Sequence, residues 1–139
     1  MKSKVIVDTG PLVALLVKQD THYAWTQEQF ASIEAPLLTC EAVITEAMFL
    51  MRERTGGREL ILQMLQSGLV SLDFQLSKHV DAILARVQRY NNIPMSLADA
   101  CLVRMSELLP QSHVFTLDSD FHIYRKSTRH VIPSITPWR

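Results

Sequence analysis

Four carboxylates interrupt patterns that should be apolar. Asp8 closes Val5-Ile6-Val7, three β-branched residues in a row, and Asp118 follows His113-Val114-Phe115-Thr116-Leu117. Both runs read as strands buried on both faces, so each acid falls at a strand's carboxyl end. Glu46 lies within the helical stretch Cys40 to Arg54, among Ala42, Val43, Phe49 and Leu50 on the apolar stripe. Asp99 has Leu102 and Val103 one turn on. Each acid also has a purely structural reading. Asp8 can cap the helix that Pro11 opens, and Glu46 can snorkel from the edge of its stripe. Ser96-Leu97-Ala98-Asp99 is a capping box with Asp in place of Glu, and Asp118 can cap the turn at Ser119-Asp120-Phe121. Together the four say more, because burying several carboxylates raises their pKa values through desolvation and mutual repulsion. A divalent cation removes that penalty. Oxygen-only ligands suit Mg²⁺ or Mn²⁺, which keep several waters and accept phosphate oxygens. His22, His79, His113, His122 and His130 show no paired spacing of the zinc type.

The elements that must position these acids alternate. Val5 to Val7 is the first strand; Thr9-Gly10 reads as a tight turn into a buried helix through Leu16. Thr21 can cap a second helix through Ile33. Ala35 to Thr39 is a second strand behind a proline. Cys40 to Arg54 is the strongest helix, closed by Arg52-Glu53-Arg54 and Thr55-Gly56-Gly57. Arg58 to Gln66 is helical, and Leu69 to Leu72 is a third strand. Ser77 to Tyr90 is an amphipathic helix, apolar at Val80, Ile83, Leu84 and Val87 and basic at Arg86 and Arg89. Ser96 to Leu109 is the next helix, His113 to Leu117 the fourth strand, and His130-Val131-Ile132 an edge strand. Strands alternating with helices imply a parallel sheet of about four to five strands covered on both faces.

The bulk composition excludes several classes. At 139 residues the chain has the size of one domain, and no linker or repeat divides it. Hydrophobic residues make up 47% and charged residues 20%, a globular balance. Lys+Arg and Asp+Glu are both 14, so any nucleic-acid binding must come from local patches. Cys40 and Cys101 fit buried free thiols in a reducing compartment. Met1-Lys2-Ser3-Lys4 leads into only three apolar residues before Asp8, which is no secretory pattern, and no apolar run nears the roughly 18 residues of a membrane span. A cytoplasmic protein with no membrane association is expected.

The ordered set Ile6-Val7-Asp8-Thr9-Gly10-Pro11-Leu12, Thr45-Glu46, Ser96-Leu97-Ala98-Asp99-Ala100 and Thr116-Leu117-Asp118-Ser119-Asp120-Phe121 resembles the PIN-domain family, and within it the VapC-type toxin ribonucleases. The resemblance runs from Val5 to about Ile132. It implies a Rossmann-like sheet, Mg²⁺- or Mn²⁺-dependent cleavage of RNA, frequent homodimers and an antitoxin whose tail blocks the site. Carried over, Asp8, Glu46 and Asp99 are the acidic core and metal ligands, with Asp118 as the fourth acid. Thr9 and Thr116 are supporting hydroxyls, and Asp120 is able to share the fourth role. This neutral chain departs from the richer basic surface of many such toxins.

RNA phosphodiester hydrolysis fits these residues. Metals held by carboxylates acidify an attacking water, neutralise the phosphate and stabilise the leaving oxygen. The RNA-binding candidates are Arg52 and Arg54, beside Arg58, and Arg125, Lys126 and Arg129, with Arg139 beyond them; Tyr124 is a candidate to stack on a base or to fill the core. The apolar breadth of Val43 to Met51, with Leu60 to Leu65, is expected to meet the core, a second copy or an antitoxin helix. Two rivals stand beside this reading. Asp8-Thr9-Gly10 matches an aspartic-protease triplet, but that fold is all-β and this chain is helix-rich by pattern. The other rival is a catalytically degenerate PIN-fold module that binds RNA or protein.

Overall fold

A computed structural model describes residues 1–127 and 129–138. In chain order the elements are β1 (Val5–Val7), α1 (Thr9–Leu16), α2 (Tyr23–Ala31), β2 (Leu37–Thr39), α3 (Glu41–Leu50), α4 (Gly57–Gln66) and β3 (Val70–Leu72). They continue with α5 (Val80–Arg89), α6 (Leu97–Leu108), β4 (His113–Phe115), β5 (Arg125–Lys126), β6 (His130–Val131) and β7 (Ser134–Ile135). Five strands form one parallel sheet in the order β3-β2-β1-β4-β7, flanked by helices as the pattern predicts. Val5, Ile6 and Val7 have no exposed surface, which is why an unbroken β-branched run fills the central strand. The chain leaves β1 toward β2 on one side and returns from β3 to β4 on the other. The carboxyl ends of β1 and β4 therefore flank the point where the strand order reverses, the usual place for a ligand crevice.

Local chemistry sets the boundaries. No separate turn follows β1: α1 begins at Thr9, capped by Asp8, whose Oδ1 accepts the Thr9 amide at 2.7 Å. Gly10 allows the start of α1 to approach the segment after β4, since a Cβ there would lie 3.2 Å from the Leu117 Cβ. α3 stops at Leu50. Gly57 opens α4 against Met51, where a Cβ would come within 2.4 Å of the Met51 carbonyl oxygen.

Two elements differ from expectation. The edge strand of the main sheet is β7, one turn of chain later than His130-Val131-Ile132. Pro133 has no N–H to give, but its carbonyl accepts the Val114 amide, and that bond starts the β4–β7 ladder. His130–Val131 pairs instead with Arg125–Lys126 in an antiparallel ribbon. The helix expected over Ser77 to Tyr90 is a 3₁₀ turn at Leu76–Lys78 followed by α5, and it buries a different face. Ile83, Arg86 and Tyr90 point inward, while Val80, Leu84 and Val87 are exposed. Arg86 turns inward because it pairs with Glu107 of α6.

Candidate active site

A cleft of about 400 Å³ opens at the carboxyl edge of the sheet, lined by Asp8, Thr9, Glu46, Ser96, Asp99 and Asp118, with Gly10, Leu50 and Leu117 completing its wall. The four acids come from four elements: the end of β1, the middle of α3, the first turn of α6 and the segment after β4.

Each acid is held. Asp8 is 6% exposed. Its Oδ2 accepts the Thr116 hydroxyl at 2.7 Å, and that hydroxyl in turn accepts the Asp118 amide at 2.9 Å. Thr9 donates its hydroxyl to Glu46 Oε2 at 3.0 Å, tying α1 to α3 across the cleft. Asp99 closes the capping box of α6: Ser96 Oγ accepts the Asp99 amide at 3.0 Å, and Asp99 Oδ2 accepts the Ser96 amide at 3.2 Å. The same Oδ2 accepts the Tyr124 hydroxyl at 3.2 Å. Asp118 Oδ1 accepts the Asp120 amide at 2.9 Å. The capping readings of Asp8, Asp99 and Asp118 are thus correct, and these acids face the cleft as well. One oxygen or more per residue satisfies a local backbone donor, and the carboxylate still lines the opening.

The electrostatics follow from the composition of the wall. No Lys, Arg or His lines the cleft among the described residues. Burial pushes the Asp8 carboxyl up to about 7, helped by the charges of Asp99 and Asp118 and opposed by its bonds to Thr116 and Thr9. Asp99 is also raised, first by burial and then by Asp118 and Glu46, against the Ser96 amide and the Tyr124 hydroxyl. Tyr124, with no exposed surface, is pushed far above its ordinary value by burial and by Asp99, so its hydroxyl stays a donor. Uncompensated carboxylates with neighbouring hydroxyls are a hard, oxygen-only donor set, which fits a small divalent cation. Among the described residues no group of three or more His, Cys, Asp or Glu side chains is arranged so as to hold a metal ion.

The remaining candidate residues are placed as follows. Asp120 is outside the cleft wall; its amide serves Asp118. Arg52 lies 3.8 Å from the Phe49 ring centroid and donates to the Phe49 carbonyl at 2.7 Å, one residue from Leu50 in the cleft wall. Arg54, Arg58 and Arg129 are exposed and Lys126 is half-buried. Arg125 is turned back on the chain, donating to the carbonyls of His122, Ile123 and Tyr124 at 2.7, 3.0 and 3.0 Å. Arg139 lies outside the described residues. Tyr124 is core, packed edge-on against Tyr90 and Phe121, and is no stacking platform for a base. Its hold on Asp99 spans 25 residues, and no local spacing announces it.

The fold and the acidic cleft define a class. The chain belongs to the PIN domain family, whose model matches residues 5–127. Its structure is similar to that of Mycobacterium tuberculosis VapC20, described as a sarcin–ricin loop cleaving toxin. The TM-score is 0.67 and the sequences are 19% identical, over 84% of this chain and 91% of that one. At that identity the likeness is one of fold. Comparison with curated proteins gave no match.

Proposed function

We propose that the chain is a Mg²⁺- or Mn²⁺-dependent endoribonuclease and the toxin of a toxin–antitoxin pair. One observation carries the reading: Asp8, Glu46, Asp99 and Asp118 meet in one cleft with no cation among the side chains that line it. Asp8, Asp99 and Asp118 also cap local amides, but capping does not call for four acids around one cleft, where their mutual repulsion costs stability. Membership of the PIN domain family and the fold likeness to a protein described as a sarcin–ricin loop cleaving toxin support the same conclusion.

Asp8 and Asp99 would hold the ion, Asp118 would bind a weaker second ion or act through water, and Glu46 would bind the ion or take a proton from water. A bound ion supplies positive charge at the scissile phosphate and a more acidic water. Thr116 fixes the Asp8 carboxylate and Thr9 fixes Glu46, so neither needs to reorganise as charge develops. Tyr124 and Ser96 do the same for Asp99. Water is the proposed nucleophile and the ribose 3′ oxygen the leaving group.

Arg52 and Arg54 near the Leu50 wall, and Lys126 and Arg129 on the β5–β6 ribbon, are proposed RNA contacts; Arg125 contributes by ordering that ribbon. Of the broad apolar surface of α3 and α4, Val43, Ile44, Ala47, Met51, Ile61 and Met64 are core, while Phe49, Leu50, Leu60 and Leu62 are exposed, and we assign these four to contact with a second copy or with an antitoxin helix. No helix among the described residues is long and apolar enough to cross a membrane. The reading is tested with purified protein. Mn²⁺ should raise the melting temperature and permit RNA cleavage, and Asp8→Asn should blunt both. A melting curve insensitive to Mn²⁺, together with intact RNA, would refute it.

A further inference from the structure

The helices that carry Glu46 and Asp99 also share a second cavity, of about 250 Å³, whose wall includes Cys40, Cys101, Thr45, Phe74, Leu76 and Leu97. Both cysteines are free and each is 2% exposed. Cys40 is the residue immediately before α3, and Cys101 lies in α6 two residues after Asp99. Both thiols line this one cavity, Cys40 from the start of α3 and Cys101 from α6. The carboxylate chemistry uses neither. A single buried thiol is ordinarily inert packing. Here two from separate elements line one cavity, which is large enough to admit a small oxidant.

We propose that Cys40 and Cys101 form an oxidisable dithiol that reacts with a hydroperoxide and closes to a disulfide between the start of α3 and α6. Cys40 is the attacking sulfur, because it is the N-cap residue of α3 and stands at the positive end of that helix, whereas Cys101 lies within α6. Its sulfur takes one oxygen of hydrogen peroxide, the O–O bond breaks, and the other oxygen leaves as water with the thiol proton. Cys40 is then a sulfenic acid. The Cys101 sulfur attacks it, the S–S bond forms, and the sulfenic oxygen departs as a second water carrying the Cys101 proton. Two electrons pass from the dithiol to the peroxide, and both oxygens end as water. The cross-link fixes the spacing of the two helices that bring Glu46 and Asp99 to the cleft.

The test does not depend on RNA cleavage. The reduced full chain is treated with dilute hydrogen peroxide, quenched by thiol alkylation and digested with trypsin. The expected product joins peptides 19–52 and 90–104 within one chain and is undone by dithiothreitol. Dimedone should label Cys40 in Cys101→Ser and leave Cys101 unlabelled in Cys40→Ser. Full alkylation of both thiols after peroxide, cross-links found only between chains, or dimedone capture at Cys101 would each overturn the proposal.

Discussion

Among the described residues, charge is buried in two places and treated in opposite ways. Along the α5–α6 seam, Arg86 and Glu107 are 10% and 5% exposed and form an ion pair, and Arg104 adds a second cation 3.1 Å from Glu107. Burial lowers the Arg86 pKa, but its charge stands against an opposite one. In the cleft four acids gather with hydroxyls and amides and no base among the lining side chains. The seam balances its charge with side chains of its own, and the cleft has no cationic side chain in its wall; the proposed function assigns that role to a bound cation. Buried charge that brings its partner belongs to the fold; buried charge that lacks one is held for a ligand or a substrate.

The comparison is sharpened most by removing charge from each side in turn. Asp8→Asn and Asp99→Asn should each cut RNA cleavage by about a hundred-fold or more, as expected for losing a group that acts on developing charge. The fold should survive, because each site loses a repulsion along with its charge. Initial rates and circular dichroism on the same samples check both halves.

Glu107→Gln should do the reverse. It strands Arg86 in a buried position, so stability should fall by roughly 3–5 kcal/mol in urea unfolding. Cleavage per folded molecule should stay close to that of the unmodified chain. A large loss of activity at unchanged stability would erase the distinction between the two regions.

The cleft also sets a pH dependence in the absence of metal. The Asp8 carboxyl titrates near 3.8 in the unfolded chain and near 7 in the folded one. Between those values the folded state holds a proton that the unfolded state has released. The contribution of Asp8 is therefore fully present below pH 3.8 and is lost as pH rises through 7. The loss amounts to at most about 4 kcal/mol. The difference between the unmodified chain and Asp8→Asn, measured by denaturant unfolding across that range, isolates it. A difference that is flat with pH would mean that Asp8 is ionised without penalty.

Tyr124→Phe is the smallest break. It removes one hydroxyl from Asp99 and should cost about 1 kcal/mol. Asp99 also loses a bond that holds its pKa down, so the acid limb of the pH–rate profile should move upward. An unmoved profile would leave Tyr124 a packing residue alone.

How much of this was legible in the sequence follows from the range of each interaction. Asp8 and Asp118 stand out because an acid after a buried strand is a local anomaly, and Glu46 and Asp99 because helical spacing places them among apolar residues. The parallel sheet follows from the same alternation of short runs. α5 was misread because Val87 is apolar and Arg86 is not; only Glu107, on another helix, makes Arg86 the buried residue. His130-Val131-Ile132 is as strand-like as Ser134–Ile135, and a two-residue strand carries no period to separate them. Arg125 looked like a phosphate contact because sequence shows a cation and hides the carbonyls that it meets. Tyr124 gave no sign of its bond to Asp99, which exists only after the chain has folded.

The most direct measurement reads the ends of the cut RNA. End-labelled RNA is incubated with the chain in EDTA, then with added Mn²⁺, in parallel with Asp99→Asn. Hydrolysis by water in a carboxylate-held metal site predicts no cleavage in EDTA, recovery with Mn²⁺, almost none in the variant, and products with 5′-phosphate and 3′-hydroxyl ends. Full cleavage in EDTA, or cyclic 2′,3′-phosphate ends from attack by the neighbouring hydroxyl, would contradict it.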